Sequence, residues 1–94
     1  MKKNQSVSQE AHALINGPRR GAYGPVEESF QRIAAMANVM LEERLSAPLT
    51  AGDVAKFMLC VKMARERQSH SRDNCVDICG YADLLNQLAE AKQL

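Results

Sequence analysis

The sequence contains few of the residues that usually reveal a protein's function. Its 94 residues include no Trp, two Tyr, two Phe and three Cys. No hydrophobic segment follows the basic start MKKNQSVSQE, which predicts no signal peptide. No apolar run reaches about 18 residues, which predicts no membrane span. An odd number of Cys without a secretory signal indicates reduced thiols, so we expect a cytoplasmic protein.

Length and periodicity predict a single all-α domain. Apolar residues recur at helical spacing, and no stretch alternates as a strand would. We predict a disordered N-terminus over residues 1–6 and one helical domain over residues 7–94. The domain is a small four-helix bundle-like unit with a short first helix and three longer ones. One small bundle covers little apolar surface, so we also predict a homo-oligomer.

Local signals place the helices. The stretch GPRRGAYGP at residues 17–25 is a loop that separates a short first helix from a second over about 25–45. The sequence TAGD, which begins at Thr50, is a capping-box pattern and starts the third helix. Ser71 suits the N-cap of a fourth helix over about 72–91.

Periodicity also predicts which faces are buried. The third helix is apolar on most sides, which is typical of a central, buried helix. The second helix has one apolar stripe, formed by Phe30, Ile33, Ala37, Met40 and Leu41. The fourth helix is predicted to bury Val76, Cys79 or Gly80, Leu84 and Leu88.

Four charges near the end of the third helix and the start of the fourth interrupt this apolar pattern. Lys62 and Arg65 share one face, as do Asp73 and Asp77, because residues three or four apart are neighbours on a helix. A short turn makes the two helices antiparallel, so the pairs should meet. The cluster is either a structural network that neutralises Lys62 or an anion site in which the cations bind phosphates.

The glycine-rich loop is a second candidate for phosphate binding. Arg19 and Arg20 lie there with flexible glycines, immediately before a helix N-terminus, where backbone donors favour anions. Tyr23, and also Tyr81 in the fourth helix, could stack on a base. The spacing matches neither the P-loop nor the dinucleotide fingerprint, and an ordinary glycine-rich turn is an equal alternative. The net charge of +1 gives no strong signal for nucleic acid or a membrane surface.

Metal binding and thiol chemistry are weaker alternatives. Cys75 and Cys79 could bind zinc together with His70 or His12, but the short Cys-x-x-Cys knuckle of structural sites is missing. A Cys–His nucleophile would need His70 beside a Cys, which nothing in the spacing requires. We therefore predict that the Cys pair fills the core and that the protein holds no metal.

Three stretches resemble a family of small phage and prophage domains of unknown function. They are Arg-x-x-x-Tyr-Gly in the loop, DVAKFMLCVKMAR in the third helix and RDNCVDICGYA in the fourth. In that family a Tyr-Gly turn precedes the first long helix, and a Lys-x-x-Arg pair ends the next. An Asp-x-x-x-Asp followed by Gly-Tyr-Ala begins the last. The resemblance covers about residues 14–88 and is most specific from Asp73 to Ala82.

That family in turn is similar to the MazG-like all-α nucleoside triphosphate pyrophosphohydrolases. Those oligomeric bundles hold magnesium with a Glu-x-x-Glu pair on one helix and a Glu-x-x-x-Asp pair on the next. Asp73 and Asp77 match the second pair, whereas Lys62 and Arg65 stand where the first would be. Two cations beside two carboxylates disfavour a divalent metal. The resemblance therefore implies a nucleotide site without metal-dependent hydrolysis.

Three functions follow as hypotheses. The first is a non-enzymatic, cofactor-free binder of a nucleotide or cyclic nucleotide, which in a phage setting could sequester an immune signal in the host cytoplasm. The second is a magnesium-dependent pyrophosphohydrolase or another nucleotide-modifying enzyme. The third is a protein that binds and inhibits a host defence complex. The second would need further metal ligands, for which the candidates are Glu27, Glu28, Glu42 and Glu43.

Overall fold

The computed structural model describes residues 5–17 and 25–94. Its elements are α1 (Val7–Asn16), α2 (Val26–Leu41), a 3-10 turn (Glu42–Arg44), α3 (Ala51–Gln68) and α4 (Arg72–Glu90). All regular structure in these two ranges is helical, so the predicted all-α class with four helices is confirmed. None of the helices described is both long and apolar enough to cross a membrane.

Side-chain caps set the starts of α1, α3 and α4. At α3 the Thr50 hydroxyl accepts from the Asp53 amide at 3.1 Å, and the Asp53 carboxylate accepts from the Thr50 amide at 2.9 Å, which completes the predicted capping box. Ser71 caps α4 by accepting from the Asn74 amide at 3.1 Å. Ser6 caps α1 in a capping box with Gln9. These exchanges satisfy amides that a helix N-terminus leaves without partners.

The second helix is shorter than predicted. Its α-helical part ends at Leu41 and tightens into the 3-10 turn. The chain then returns to Leu49, whose amide donates to the Asn38 side chain at 2.6 Å and whose carbonyl accepts from it at 3.1 Å. The Asn38 side chain therefore provides hydrogen-bond partners for the backbone of Leu49, which lies outside any helix.

The central helix is α4, not α3. Helix α4 contacts α1, α2 and α3, and it buries Val76, Gly80, Leu84 and Leu88 as predicted. The prediction that α3 is buried on most sides is wrong, because Phe57 is 68% exposed. Helix α3 instead packs through small residues of its first turns, which allow other segments to approach its backbone closely; a Cβ on Gly52 would lie 2.7 Å from the Cα of Leu94. These buried residues are Ala51, Gly52, Val54 and Ala55.

The apolar stripe predicted for α2 is also only partly buried. Phe30 lies in the core, together with Val26 and Ala34, whereas Ile33, Met40 and Leu41 remain exposed. The buried face is thus rotated relative to the prediction, because α4 and the start of α3 cover one side of α2 only. The main core joins α2, α3 and α4. Its members are Val26, Phe30, Ala34, Ala51, Val54, Ala55, Leu84 and Leu88.

Candidate functional site

One ion pair joins the two helices of the α3–α4 hairpin. The Lys62 ammonium lies 2.9 Å from the Asp77 carboxylate, and the two side chains are 12% and 32% exposed. Helix α3 contributes the cation from its second half, and α4 contributes the carboxylate from its second turn. Because the helices are antiparallel and joined by a short turn, the two residues lie opposite each other. The predicted meeting of Lys62 and Asp77 is therefore present in the structure.

The other two charges of the predicted cluster stand apart. Arg65 and Asp73 are exposed, and neither forms an ion pair with another described residue. Arg65 lies one helical turn beyond Lys62 on α3, so its guanidinium is free to meet a ligand from solvent. The structure thus shows a single interhelical pair beside an exposed arginine instead of a four-charge network.

Tyr81 is positioned by the core. Its ring centroid is 6.5 Å from that of Phe30 with the planes tilted by 33°, and the residue is half-buried. This is a favourable aromatic arrangement that holds the ring against α2. Tyr81 lies one turn after Asp77 on α4, so any base it met would have to approach the part of its ring that remains exposed.

The predicted loop residues Arg19, Arg20 and Tyr23 lie outside the described residues. Helix α1, which precedes that segment, and helix α2, which follows it, both contact the middle of α4. The Ile15 side chain is 3.3 Å from the position a Cβ would take on Gly80, and Phe30 contacts Tyr81. The end of α1 and the start of α2 therefore meet α4 about one turn from Asp77.

A hydrogen-bonded cluster around Glu66 lies at the turn between α3 and α4. One carboxylate oxygen accepts from the Ser71 amide at 3.2 Å and from the Asn74 side chain at 3.1 Å. The other oxygen contacts Nδ1 of His70. The hydrogen bonds from His70, then from Asn74, lower the pKa of Glu66 below its ordinary value of 4.5. The cluster closes the turn and orders the side chains around it.

Sequence reasoning missed this cluster and a second ion pair. The spacing of Glu66 and His70, four residues apart across the end of α3, was a usable signal for the first. The second pair joins Arg72 of α4 to the buried Glu10 of α1 at 3.1 Å, with the Gln5 carbonyl accepting from the same guanidinium at 2.8 Å. No local pattern connects residues 62 positions apart, so only the fold reveals this contact.

The structure groups potential metal ligands differently from the sequence predictions. Glu66, His70 and Cys75 each offer a ligand atom, and these atoms lie within 4.8 Å of one another. Cys79, the predicted companion of Cys75, is outside this group. Among the described residues no other set of three potential ligands comes together. The glutamates considered as magnesium ligands therefore do not form such a set with Asp73 and Asp77.

Comparison with known proteins identifies the relatives of this chain. Residues 6–89 match a family described as a domain of unknown function, DUF6378. The chain is 34% identical over 88 residues to the Gene 55 protein of Mycobacterium phage D29, covering 93% of this chain and 56% of that protein. It is 33% identical over 84 residues to the Gene 55 protein of Mycobacterium phage L5, covering 88% and 52%. The chain thus spans about half the length of these curated relatives. No solved structure gives a significant match.

The Lys62–Asp77 pair predicts an asymmetric response to mutation. Asp77→Ala leaves the largely buried ammonium of Lys62 without a partner, and we expect a loss of about 1–3 kcal/mol in unfolding free energy. Replacing both partners, as in Lys62→Met with Asp77→Leu, should recover stability to within about 1 kcal/mol of wild type. Urea unfolding followed by circular dichroism, at one fixed protein concentration, measures these differences.

Asp83→Ala is the matched control for this series. Asp83 is an exposed aspartate of the same helix, so its replacement should change stability by less than about 0.5 kcal/mol. An Asp77→Ala variant as stable as this control would show that the pair is not a structural contact.

The environment of Glu66 predicts an acid-sensitive contribution to stability. Because its pKa is lower in the folded chain than its ordinary value of 4.5, the ionised form is favoured by folding. This contribution is complete above about pH 4.5 and is lost as the pH falls toward the lowered pKa. Glu66→Gln should flatten this part of the stability curve, measured by urea unfolding between about pH 6 and about pH 3. Glu43→Gln, on the exposed 3-10 turn, should leave the curve unchanged.

Proposed function

This chain belongs to the DUF6378 family of phage-type domains, and on that premise we propose that it binds the phosphates of a nucleotide or nucleotide-derived molecule without hydrolysing it. The observation that carries the proposal is the Lys62–Asp77 pair with the exposed Arg65 one turn away. Asp77 fixes the position of Lys62 and compensates its charge when no ligand is bound. A phosphate then meets one oriented cation and one cation that reaches it from solvent.

The donors of these two side chains suit a phosphate. A lysine ammonium carries three N–H groups, and a single contact to Asp77 at 2.9 Å leaves two of them for a ligand. The guanidinium of Arg65 can bind two phosphate oxygens at once through its planar fork. Asp73, exposed at the start of α4, would accept a hydrogen bond from a sugar hydroxyl or a base.

Binding without hydrolysis is supported by the distribution of carboxylates. The resemblance to MazG-like enzymes extends to Asp73 and Asp77, but two-metal catalysis needs further carboxylates around the same ions. Lys62 faces Asp77 and forms an ion pair with its carboxylate, which reduces the negative charge available to a metal ion. A magnesium-dependent pyrophosphohydrolase is the alternative; it would need Glu27, Glu28, Glu42 or Glu43 to complete the site, although none of them forms a set of three potential ligands with Asp73 and Asp77 among the described residues.

We place this binding activity in the cytoplasm of an infected bacterium. The relatives come from mycobacteriophages, and a small domain that holds a nucleotide without consuming it acts by lowering its free concentration. A host immune signal made of a linear or cyclic nucleotide is the kind of ligand for which such sequestration would benefit a phage.

Calorimetric titration against a panel of linear and cyclic nucleotides, with and without magnesium, tests the proposal. We expect binding that does not require magnesium and that weakens about tenfold or more in Arg65→Ala, since a charge-assisted contact to phosphate is lost. Arg67→Ala is the matched control, because Arg67 is exposed on a different side of α3 and should bind as wild type.

Two results would contradict this function. Absence of binding by every nucleotide, in a protein whose circular dichroism shows it folded, would make the Lys62–Asp77 pair purely structural. Magnesium-dependent release of pyrophosphate, abolished by a chelator, would instead establish the enzymatic alternative.

A second candidate function, association through α2, is favoured by an exposed apolar face. Its five side chains are between 42% and 78% exposed, and four of them lie three or four residues from a neighbour in the set, as residues on adjoining helical turns do. They are Ile33, Met36, Val39, Met40 and Leu41. Together they present on the order of 500 Å² of apolar surface, which is near the upper limit for a monomer. It also equals roughly the apolar share of one side of a standard interface of about 800 Å².

We propose that a second copy of this chain covers this face. A self-complementary contact between two α2 helices would cover the apolar side chains that α3 and α4 leave exposed. In that arrangement each copy keeps its own Lys62–Asp77 pair.

Light scattering coupled to gel filtration tests the dimer. The wild-type chain should have twice the mass of one copy, and Met36→Glu with Met40→Glu should yield monomers, because two charges at the centre of an apolar contact cannot be desolvated without a large cost. Gln31→Glu, an exposed position on the opposite side of α2 from Ile33 and Met40, should remain dimeric. A monomeric wild type would overturn the proposal and leave the face open to a different protein, such as a component of a host defence complex.

A further inference from the structure

We propose that the turn between α3 and α4 binds a divalent transition-metal ion, with zinc as the best fit, through Glu66, His70 and Cys75. The three ligand atoms already lie within 4.8 Å of one another. In a tetrahedral zinc site with bonds of about 2.0–2.3 Å, neighbouring ligand atoms are about 3.3–3.8 Å apart. The contact between Glu66 and His70 is tighter than this spacing and would open, and the Cys75 thiol would move closer, so rotations of the three side chains could arrange them around an ion.

The chemistry of the three donors is selective. A thiolate, an imidazole and a carboxylate suit zinc and related ions, whereas magnesium and calcium prefer sites made only of oxygen. The thiolate and the carboxylate together carry two negative charges, which balance a divalent cation. Cys75 is a free thiol that is half-buried, so it can reach an ion at the edge of the turn while being shielded from bulk solvent.

The surrounding hydrogen bonds orient the Glu66 carboxylate for coordination of an ion. The Ser71 amide and the Asn74 side chain both donate to one oxygen of Glu66, which leaves the other oxygen directed at His70. Asn74 is itself buried, so its amide is a fixed support and not a mobile surface group. Donors of this kind commonly orient the carboxylate ligands of metal sites.

All three ligands come from ten consecutive residues of one hairpin. Glu66 lies in the last turn of α3, His70 in the connecting turn, and Cys75 in the first turns of α4. An ion there would bind one helix to the other at the turn, and its free energy of binding would add to the stability of the hairpin. Three protein ligands also leave a fourth position for water or an incoming group.

Cobalt(II) titration of the full-length, reduced chain tests the site directly. One equivalent of Co²⁺ should produce a thiolate-to-cobalt charge-transfer band in the near ultraviolet and the visible bands of tetrahedral cobalt, and Zn²⁺ should displace it. His70→Gln should weaken binding about a hundredfold. Cys75→Ser should remove the charge-transfer band. His70 is mostly exposed, so its replacement leaves the fold intact.

Matched controls are present in the same chain. Cys79→Ser and Cys60→Ser remove the other two thiols, and His12→Gln removes the other histidine, so all three should bind cobalt as wild type does. An absence of tetrahedral bands, or a charge-transfer band that persists in Cys75→Ser, would overturn the proposal. Nucleotide binding measured in the presence of a chelator is a separate property, so either proposal can fail without the other.

Discussion

The register between α3 and α4 is the constraint on which the rest of this structure depends. Near the open end of the hairpin, small residues of α3 allow Leu84 and Leu88 of α4 to enter the common core. Near the turn, Lys62 faces Asp77 and Glu66 faces Asn74. A shift of one residue would separate both polar pairs and bury charges without partners, so the polar contacts select one register where apolar packing alone would tolerate several.

A core of this size provides little folding stability in excess of what the domain needs. Leu88, Val26 and Val76 are the largest side chains that are fully buried, and much of the remaining interior is alanine and glycine. Helix α1 is attached through Ala11, Ile15 and the Arg72–Glu10 pair. Such a domain depends on capping and interhelical polar contacts for a large part of its order. The proposed association through the exposed face of α2 would add a second source of stability.

The two proposed sites share one helix but use opposite chemistries. Arg65 and Glu66 are adjacent in sequence, yet successive residues on a helix point about 100° apart. Arg65 therefore faces solvent near Lys62, where anions are attracted, whereas Glu66 turns toward His70 and Cys75, where a cation fits. The separation would let one short hairpin carry both proposed sites without either neutralising the charge of the other.

The sequence by itself determined the features that depend on neighbours along the chain. The caps at Thr50 and Ser71, the helix class, and the approach of Lys62 to Asp77 across a short turn follow from local spacing, which helix geometry converts directly into position. Short sequence motifs also indicated the resemblance to phage domains. The match of residues 6–89 to the DUF6378 family agrees with it.

Only the tertiary structure decided which apolar faces are covered and which distant polar groups meet. Periodicity identifies an apolar stripe on α2 but not how far α4 and α3 extend over it, since coverage depends on the placement of other helices. The choice of Cys75 over Cys79 beside His70 and the contact of Glu10 with Arg72 were decided in the same way. These features arise from three-dimensional packing between segments, and no residue spacing within a single segment encodes them.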